Sequence, residues 1–238
     1  MTPEFFLLHS DLPREGPGDA ESLRWACALA GVGRDARILD AGAGPGADVA
    51  GLLEAAPKGH VTAIEAHAPF AQGIAARHAG DPRVSAVQGD MAAPPGGPFD
   101  FVWSAGAVYF LGVEAALRAW AAALAPGGAV AFSEVVWLGA DRPPDAAAFW
   151  KEYPAMTDTE GVTAAIGRAG YAVLGTRVLG DAAWEGYFQP MEARIAMLRA
   201  SGASPALEEV LRAHETEIAV WRAHRDAFGY RLFVVRPE

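Results

Sequence analysis

The sequence has little of three things that whole classes of proteins depend on. It has one cysteine, Cys27, which cannot form an intrachain disulfide, and any metal site would need other ligands. It has two lysines, Lys58 and Lys151, and a formal net charge of −10. It has no uncharged apolar run of the roughly 18 residues that a transmembrane helix needs. These shortages argue against a disulfide-rich, a nucleic-acid-binding or a membrane-spanning protein.

The distribution of charge points the same way. Proteins that bind nucleic acid neutralise its phosphates with clustered Lys and Arg side chains. This chain has no long basic run. Its N-terminal segment has neither a basic region before the apolar stretch nor a small-residue cleavage site. We therefore expect a cytoplasmic protein that takes a small-molecule substrate and binds neither nucleic acid nor membranes, with its oligomeric state open. Its 238 residues suit a single α/β domain.

The most informative segment is residues 38–46, Ile-Leu-Asp-Ala-Gly-Ala-Gly-Pro-Gly. It predicts a short strand that carries Asp40 at its end and turns through Gly42, Gly44 and Gly46 into a helix. Glycine permits positive φ and lets the backbone approach a ligand closely. The helix N-terminus then offers free N–H groups to an anionic group. The segment therefore predicts a site for a nucleotide-like small molecule.

The spacing of the glycines bears on which molecule that is. Dinucleotide sites usually read G-x-G-x-x-G. Here the glycines alternate, an acid precedes them, and the residue three after Gly44 is Ala47. S-adenosylmethionine suits this pattern, because it has an ammonium for an acid and a carboxylate for backbone N–H groups. Some dinucleotide folds tolerate alanine at the third glycine, so an NAD-dependent oxidoreductase stays an alternative.

Further strands are predicted downstream, and polar side chains stand at their ends. Residues 60–65 end in Glu65, about 20 residues past the loop, where a carboxylate accepts both ribose hydroxyls in βαβ nucleotide folds. The strand that begins at Arg83 runs to Asp90, which is placed to accept from an adenine amino group. The next strand ends at Ser104. Ligands of parallel sheets bind outside the carboxyl ends of the strands, so these side chains predict one crevice.

The chain at this point strongly resembles the class I S-adenosylmethionine-dependent methyltransferases. The segments that carry the resemblance stand in the family order: ILDAGAGPG, VTAIEAH, VQGDM, FDFVWSAGAVYFLG and LAPGGAVAFSE. The resemblance is close over residues 31–178 and looser elsewhere. It implies an α/β fold, Rossmann-like and doubly wound, with a mostly parallel seven-stranded sheet, an antiparallel last strand and a helical cover. We expect one methyltransferase domain over residues 1–238, made of an N-terminal arm and helix (1–30), a cofactor-binding core (31–178), a helical lid insert (179–229) and the last strand (230–238).

The resemblance also implies a ligand and its contacts. S-adenosyl-L-methionine is the expected cofactor, and no metal is expected. In related small-molecule methyltransferases an arm folds over the cofactor, and here Arg14 would pair with the cofactor carboxylate or else stay exposed. The residues expected to bind the cofactor are Asp40, Gly42, Ala43, Gly44, Gly46, Glu65, Ala66, Asp90, Met91, Ser104 and Arg14.

Catalytic residues are harder to assign, because methyl transfer needs placement more than acid–base chemistry. Tyr109 follows the fourth strand and is either a wall of the substrate site or part of the core. His214 lies on the apolar face of a predicted helix and is either a general base or an interior histidine. The acceptor molecule and its atom stay open. A module that keeps the cofactor site but has no activity is the second alternative.

Overall fold

The sheet follows the predicted plan with one addition. The computed structural model describes residues 2–238, in which eight strands form one sheet of order β3-β2-β1-β4-β5-β8-β7, with β6 paired to β5. The strands are β1 Arg37–Ala41, β2 His60–Glu65, β3 Val84–Gln88, β4 Phe99–Ser104, β5 Leu124–Trp137, β6 Thr157–Asp158, β7 Tyr171–Val178 and β8 Phe228–Pro237. Strands β1 to β6 pair in parallel, and β8 runs antiparallel to both β5 and β7. The predicted fold class is confirmed, and the two-residue β6 is the addition.

Helices lie on both faces of this sheet and at one end of it. They are α1 Pro3–His9, α2 Ala20–Ala30, α3 Val49–Ala55, α4 Ala68–Arg77, α5 Val113–Ala121, α6 Pro144–Phe149, α7 Thr159–Arg168, α8 Asp181–Ala200 and α9 Pro205–His224. Side chains fix where several of them begin. The Asp19 carboxylate accepts from the backbone N–H of Ser22 at the start of α2, and the Ser204 hydroxyl accepts from Leu207 at the start of α9. None of the helices in residues 2–238 combines the length and apolar character that crossing a membrane demands.

The alternation of side chains along each strand divides the core into two layers. Ile38 packs with α2 and α3 on one face of the sheet, whereas the next residue, Leu39, packs with α5 and α7 on the other. Both side chains are fully buried. Burying a side chain of this size contributes about 1.5–3 kcal/mol each. The near-continuous apolar runs of the central strands are the sequence pattern of a sheet covered on both faces.

The strand order also locates the site. Strand β1 lies between β2 and β4, so the chain direction across the sheet reverses at this point. Crossover connections leave on opposite faces there, and a crevice opens at the carboxyl ends of the two strands. Asp40 and the glycine loop stand at this position.

The helical cover forms a third apolar cluster over that end of the sheet. The predicted insert, residues 179–229, contains the two 20-residue helices α8 and α9. Trp184 of α8 stacks on Trp221 of α9 with ring centroids 5.0 Å apart, and it also contacts the ring of Tyr230 on β8. Helix α1 packs against both helices. The N-terminus of the chain and the insert therefore build the cover together.

Candidate active site

A cavity of about 700 Å³ opens where β1 to β4 end. Most of the residues predicted to bind a cofactor line it, and Tyr109 lines it as well. These lining residues are Arg14, Asp40, Gly42, Ala43, Gly44, Glu65, Ala66, Asp90, Met91 and Tyr109. Gly46, Ser104 and His214 are not among the residues that line the cavity.

The glycine loop is built by backbone conformation and close packing. Gly42 has φ of +74°, and a Cβ there would lie 2.5 Å from the Cβ of Ala107. Gly46 has φ of +83°, and a Cβ there would lie 2.7 Å from Cγ1 of Ile74. A side chain at either position would meet both strain and a clash. Gly46 therefore lets helix α4 approach the loop, a different role from the ligand contact that the sequence predicted.

Asp40 is a buried acid with an unused oxygen. Its side chain is 3 % exposed, and its Oδ2 atom has no hydrogen-bond partner. Burial raises the pKa of Asp40 well above its ordinary value, and the charges of Asp48 and Glu65 raise it further. Arg14 acts in the opposite direction. A buried acid without a partner at the wall of a cavity is a strong attractor for a cationic group.

Glu65 and Asp90 are held differently at their strand ends. The Glu65 carboxylate accepts from the backbone N–H of Gly44 at 2.9 Å and from that of His67 at 2.7 Å. One oxygen is used by each bond, and each oxygen keeps a free lone pair for a ligand hydroxyl. Asp90 is exposed and accepts from the backbone N–H of Ala92 at 2.8 Å. Glu65 therefore also braces the glycine loop, whereas Asp90 holds only its own turn.

Arg14 is brought to the cavity by the N-terminal arm. Its Nε atom donates to the Gly16 carbonyl at 2.6 Å, and a terminal nitrogen lies 3.5 Å from Oδ1 of Asp48. Asp48 also accepts from Nε1 of Trp103 at 2.9 Å. The side chain is therefore largely buried and ion-paired, which excludes the alternative of an exposed arginine in a free arm.

Ser104 has a structural task in place of the predicted ligand contact. The residue is fully buried, and its hydroxyl donates to the Ala41 carbonyl at 2.9 Å. This bond ties the end of β4 to the end of β1. Ser104 holds the two strand ends that border the crevice and does not line the cavity itself.

His214 takes the second of its two predicted alternatives, an interior histidine on the apolar face of α9. Its Nδ1 atom donates to the Val210 carbonyl at 2.8 Å, and its Nε2 atom lies 3.0 Å from Nε2 of His9. His9 is buried, and its Nδ1 atom lies 2.7 Å from Oε2 of Glu15. Burial lowers the pKa of His214. Both ring nitrogens face protein atoms, so the histidine pair fastens the N-terminal arm to α9, and we do not assign His214 as a base.

Several aromatic residues at the cavity were missed by the sequence reasoning. Phe5 and Phe6 of α1 line the cavity, and Phe6 stacks on His67 with ring centroids 3.8 Å apart. Phe5 stacks on His9 at 4.0 Å. The adjacent phenylalanines near the N-terminus were the available signal, because a solvent-facing arm has no use for two such rings. They place α1 as a wall over the cavity.

Tyr109 lines the cavity, and 41 % of its surface stays exposed. It lies in a 3₁₀ turn, Val108–Phe110, and its ring is 6.1 Å from the ring of Tyr153. Partial burial and then the charges of Glu217, Glu134 and Glu15 raise the pKa of Tyr109 to about 12. The hydroxyl therefore keeps its proton at neutral pH and serves as a hydrogen-bond donor or acceptor.

Glu134 is the other functional candidate that the sequence reasoning missed. It lies on β5 and is 4 % exposed, and its Oε2 atom has no hydrogen-bond partner. Burial raises the pKa of Glu134 to about 7, although the Tyr153 hydroxyl and the N–H of Val135 both lower it. The only available signal was an acid that follows four apolar strand residues and Ser133. Among residues 2–238, no group of three His, Cys, Asp or Glu side chains is arranged to hold a metal ion.

Comparisons with known proteins agree with this geometry. Residues 38–128 match the family model described as a methyltransferase domain. No curated protein sequence is significantly similar to the chain. Among solved structures, an S-adenosylmethionine-dependent methyltransferase from Geobacter sulfurreducens, in complex with S-adenosyl-L-homocysteine, is 21 % identical with a TM-score of 0.82 over 100 % of this chain and 99 % of that one.

Two further structures cover both chains almost completely. A methyltransferase from Thiobacillus denitrificans, also in complex with S-adenosyl-L-homocysteine, is 21 % identical with a TM-score of 0.83 and covers 100 % of this chain and 99 % of that one. The protein YJHP from E. coli is 20 % identical with a TM-score of 0.84 over 100 % of both chains. The family model covers the glycine loop and the three strand-end acids that surround the cavity. Residues 38–128 are therefore similar to the methyltransferase domain family, and the whole chain shares its fold with S-adenosylmethionine-dependent methyltransferases of known structure.

Proposed function

We propose that the protein transfers the methyl group of S-adenosylmethionine to a small-molecule acceptor bound between the cofactor cavity and the helical cover. The observation that carries the proposal is the place of Tyr109. Its ring lines the cofactor cavity, and it also lies next to Tyr153, in the segment that follows α6. An acceptor has to sit at such a boundary to reach the methyl group.

The residues of the cavity fit the parts of the cofactor. The unpartnered Oδ2 atom of Asp40 would bind the ammonium, and backbone N–H groups of the glycine loop would bind the carboxylate. Arg14 would share its charge between Asp48 and that carboxylate. Glu65 would accept from the ribose hydroxyls, and Asp90 would accept from the adenine amino group. Ala43, Ala66 and Met91 would contact the ligand through backbone and apolar atoms.

The chain's own contribution to the reaction is placement and exclusion of water. When bound, S-adenosylmethionine supplies a methyl group that its sulfonium has already activated. The cavity walls fix where that group points, and Tyr109 fixes one side of the path by which the acceptor arrives. Alignment of this kind is worth about 7–11 kcal/mol of the barrier in well-oriented reactions. Phe5 and Phe6 exclude water from the same space.

A small molecule is the acceptor that the surface favours. A net charge of −10 with two lysines repels the phosphates of a nucleic acid. The cover of α1, α8 and α9 adds apolar and aromatic surface next to the cavity, which suits an acceptor of limited size. A single buried cysteine is compatible with a reducing compartment, and we propose a cytoplasmic location.

Ligand binding tests the cofactor half of the proposal. S-adenosylhomocysteine at a hundredfold excess over Kd should stabilise the fold by about 2.7 kcal/mol. This corresponds to a rise in Tm of roughly 5–10 °C for a chain of this size. NADH at the same concentration is the control. A rise with NADH and none with S-adenosylhomocysteine would overturn the proposal.

Turnover tests the other half and separates an enzyme from a binding module. Radiolabelled S-adenosylmethionine should transfer its label to an organic-soluble or ion-exchange-separable product when a panel of small acceptors is supplied. Formation of S-adenosylhomocysteine should match the labelled product one to one. A protein that binds S-adenosylhomocysteine tightly but transfers no label to any acceptor would be a binding module.

A further inference from the structure

Near Tyr109 lies a set of carboxyl and phenol groups. Its members come from five separate parts of the chain. Glu15 belongs to the N-terminal arm, Glu134 to β5 and Glu217 to α9. The charges of all three reach Tyr109. Tyr153 and Tyr230 complete the set, which we name the acidic chamber.

The acidic chamber borders the cofactor cavity at Glu15 and Gly106. Gly106 lines the cavity, and its backbone N–H donates to the hydroxyl of Ser133, the residue next to Glu134, at 2.8 Å. A Cβ on Gly106 would lie 4.0 Å from the hydroxyl oxygen of Tyr230. Glu15 lines the cavity directly. A ligand in the cavity can therefore reach Glu15 and Tyr109, and Tyr230 lies close to the same wall.

Glu134 is the group in this chamber that points to a ligand. One of its oxygens accepts from the N–H of Val135 at 3.2 Å, and the other is buried without a hydrogen-bond partner. The Tyr153 hydroxyl lies near enough to affect the pKa of Glu134 but makes no hydrogen bond with proper geometry to that free oxygen. A buried carboxyl oxygen of this kind costs stability unless it receives a proton donor.

Glu134 and Glu217 lack a compensating cation within the described residues. Arg14 is paired with Asp48, and His9 lies between Glu15 and His214. Arg231 is the cross-strand partner of Glu134, but its guanidinium donates to Thr176, and no ion pair joins it to Glu134 in residues 2–238. Glu15 is therefore balanced by His9, whereas Glu134 and Glu217 have no ion pair within residues 2–238.

We propose that the acceptor is a small primary or secondary amine, held as an ammonium ion in the acidic chamber, and that the carboxylate of Glu134 accepts its proton. This inference rests on the proposed methyl transfer and names its substrate class. Carboxylates attract an ammonium ion, and the faces of Tyr109 and Tyr153 add cation–π attraction. An acceptor with a carboxylate at its reacting end would meet three like charges.

The proton and electron balance of the step is simple. An ammonium nitrogen has no free electron pair, so one N–H bond breaks first, and its proton goes to the Glu134 carboxylate. The nitrogen pair then forms the new N–CH₃ bond, while the C–S bond breaks and its pair stays on sulfur. The products are the methylated ammonium, S-adenosylhomocysteine and protonated Glu134, which releases its proton to water. Burial raises the pKa of Glu134 to about 7, which lets the same carboxyl accept and release a proton near neutral pH.

Matched probes test the substrate class. The full chain, saturated with S-adenosylhomocysteine, is titrated with 2-phenylethylamine, 2-phenylethanol and 3-phenylpropanoate, and with butylamine, butanol and butanoate. We expect each amine to bind at least tenfold more tightly than the alcohol and carboxylate of its set, as measured by ligand-observed NMR. With S-adenosylmethionine in place of the product, the amines should yield N-methylated products. Equal or better binding by an alcohol or carboxylate, or no binding of either amine, overturns the proposal.

Variants test the assignment to Glu134. Glu134→Gln keeps the shape of the side chain and removes its charge, and it should weaken amine binding at least tenfold while the Kd for S-adenosylhomocysteine stays within twofold. Glu217→Gln is the second variant, and a smaller loss is expected from it. Glu209→Gln, an exposed acid on the same helix as Glu217, is the matched control and should change neither affinity. Unchanged amine affinity in both chamber variants overturns the assignment. If the wild-type protein does not bind S-adenosylhomocysteine, the proposed function itself is wrong.

Discussion

The two sides of the cavity are built in opposite ways. The cofactor side comes from residues 40–91, a continuous stretch of strands and tight loops, and its contacts are largely backbone atoms and strand-end acids. The acceptor side comes from the N-terminal arm, the end of β5, the segment around Tyr153 and helix α9. Its polar groups are side chains. One side is therefore set by local geometry, and the other by how distant segments pack.

The acids on the two sides also differ in what they are bonded to. Glu65 accepts two backbone hydrogen bonds, which hold it in place before any ligand arrives. Glu134 is buried and Glu217 is half-buried, neither has comparable hydrogen bonds, and burial raises the pKa of each to about 7. Glu65 is thus preorganised for a ligand, whereas Asp40 on the same side is buried with an unpartnered oxygen and has a raised pKa. The acceptor side is electrostatically strained, and a ligand would relieve that strain.

If this contrast holds, variants on the acceptor side should change turnover without changing cofactor affinity. The largest effect is expected from Glu134→Gln, because removal of a positioned base typically costs about 10²–10⁴-fold in rate. Single-turnover rates with an amine acceptor measure it, and calorimetric titration with S-adenosylhomocysteine serves as the control. A rate within threefold of wild type would show that Glu134 does not act on the acceptor, and the contrast between the two sides would then fail.

The pH dependence of stability tests the strain directly. Burial raises the pKa of Glu217 in the folded state from 4.5 to about 7, so the fold prefers the protonated carboxyl. Its contribution is fully present below about pH 4.5 and is lost as the pH rises through 7. Glu217→Gln should therefore reduce the difference in unfolding free energy between pH 4 and pH 8 by about 3 kcal/mol. Urea unfolding of both proteins at the two pH values measures it, and parallel pH profiles would contradict the prediction.

On the cofactor side, Glu65→Ala should cost about 1.5–3 kcal/mol of affinity for S-adenosylhomocysteine, as hydrogen bonds to charged groups do. It removes the ribose contact and also the brace on the N–H of Gly44. Asp90→Ala should cost less, because Asp90 is exposed and holds only the turn at Ala92. Isothermal titration calorimetry compares the two. An equal or larger loss for Asp90 would show that preorganisation does not separate them.

The smallest effect is expected where the cover is fastened to the arm. His214→Ala removes the contacts with His9 and with the Val210 carbonyl, which should lower the unfolding free energy by about 1–2 kcal/mol. Turnover per folded molecule should fall less than threefold. A large loss of turnover with an unchanged Tm would instead favour the general base that the sequence left open for His214.

The fold and the cofactor side could be read from the sequence because their signals are local. Apolar strand residues, a turn through Gly42 and Gly44, and Glu65 about 20 residues later are all encoded within short windows. Strand ends mark the crevice but do not give the direction of each side chain. Successive side chains point to opposite faces, so Asp40 reaches the cavity while Ser104 bonds to the Ala41 carbonyl.

The acceptor side was decided only by tertiary structure. Phe5 and Glu15 read as parts of a loose arm, and Glu134 reads as one more strand-end acid. Packing of α1 on α8 and α9 turns the arm into a wall, and antiparallel pairing of β8 with β5 brings Tyr230 to Gly106. These contacts join segments more than a hundred residues apart, and no local pattern encodes them. The sequence by itself predicted the fold, a cofactor and the crevice for it, because local backbone geometry carries those signals. Tertiary packing decided which carboxyl groups lose their water, because burial is a property of the assembled fold.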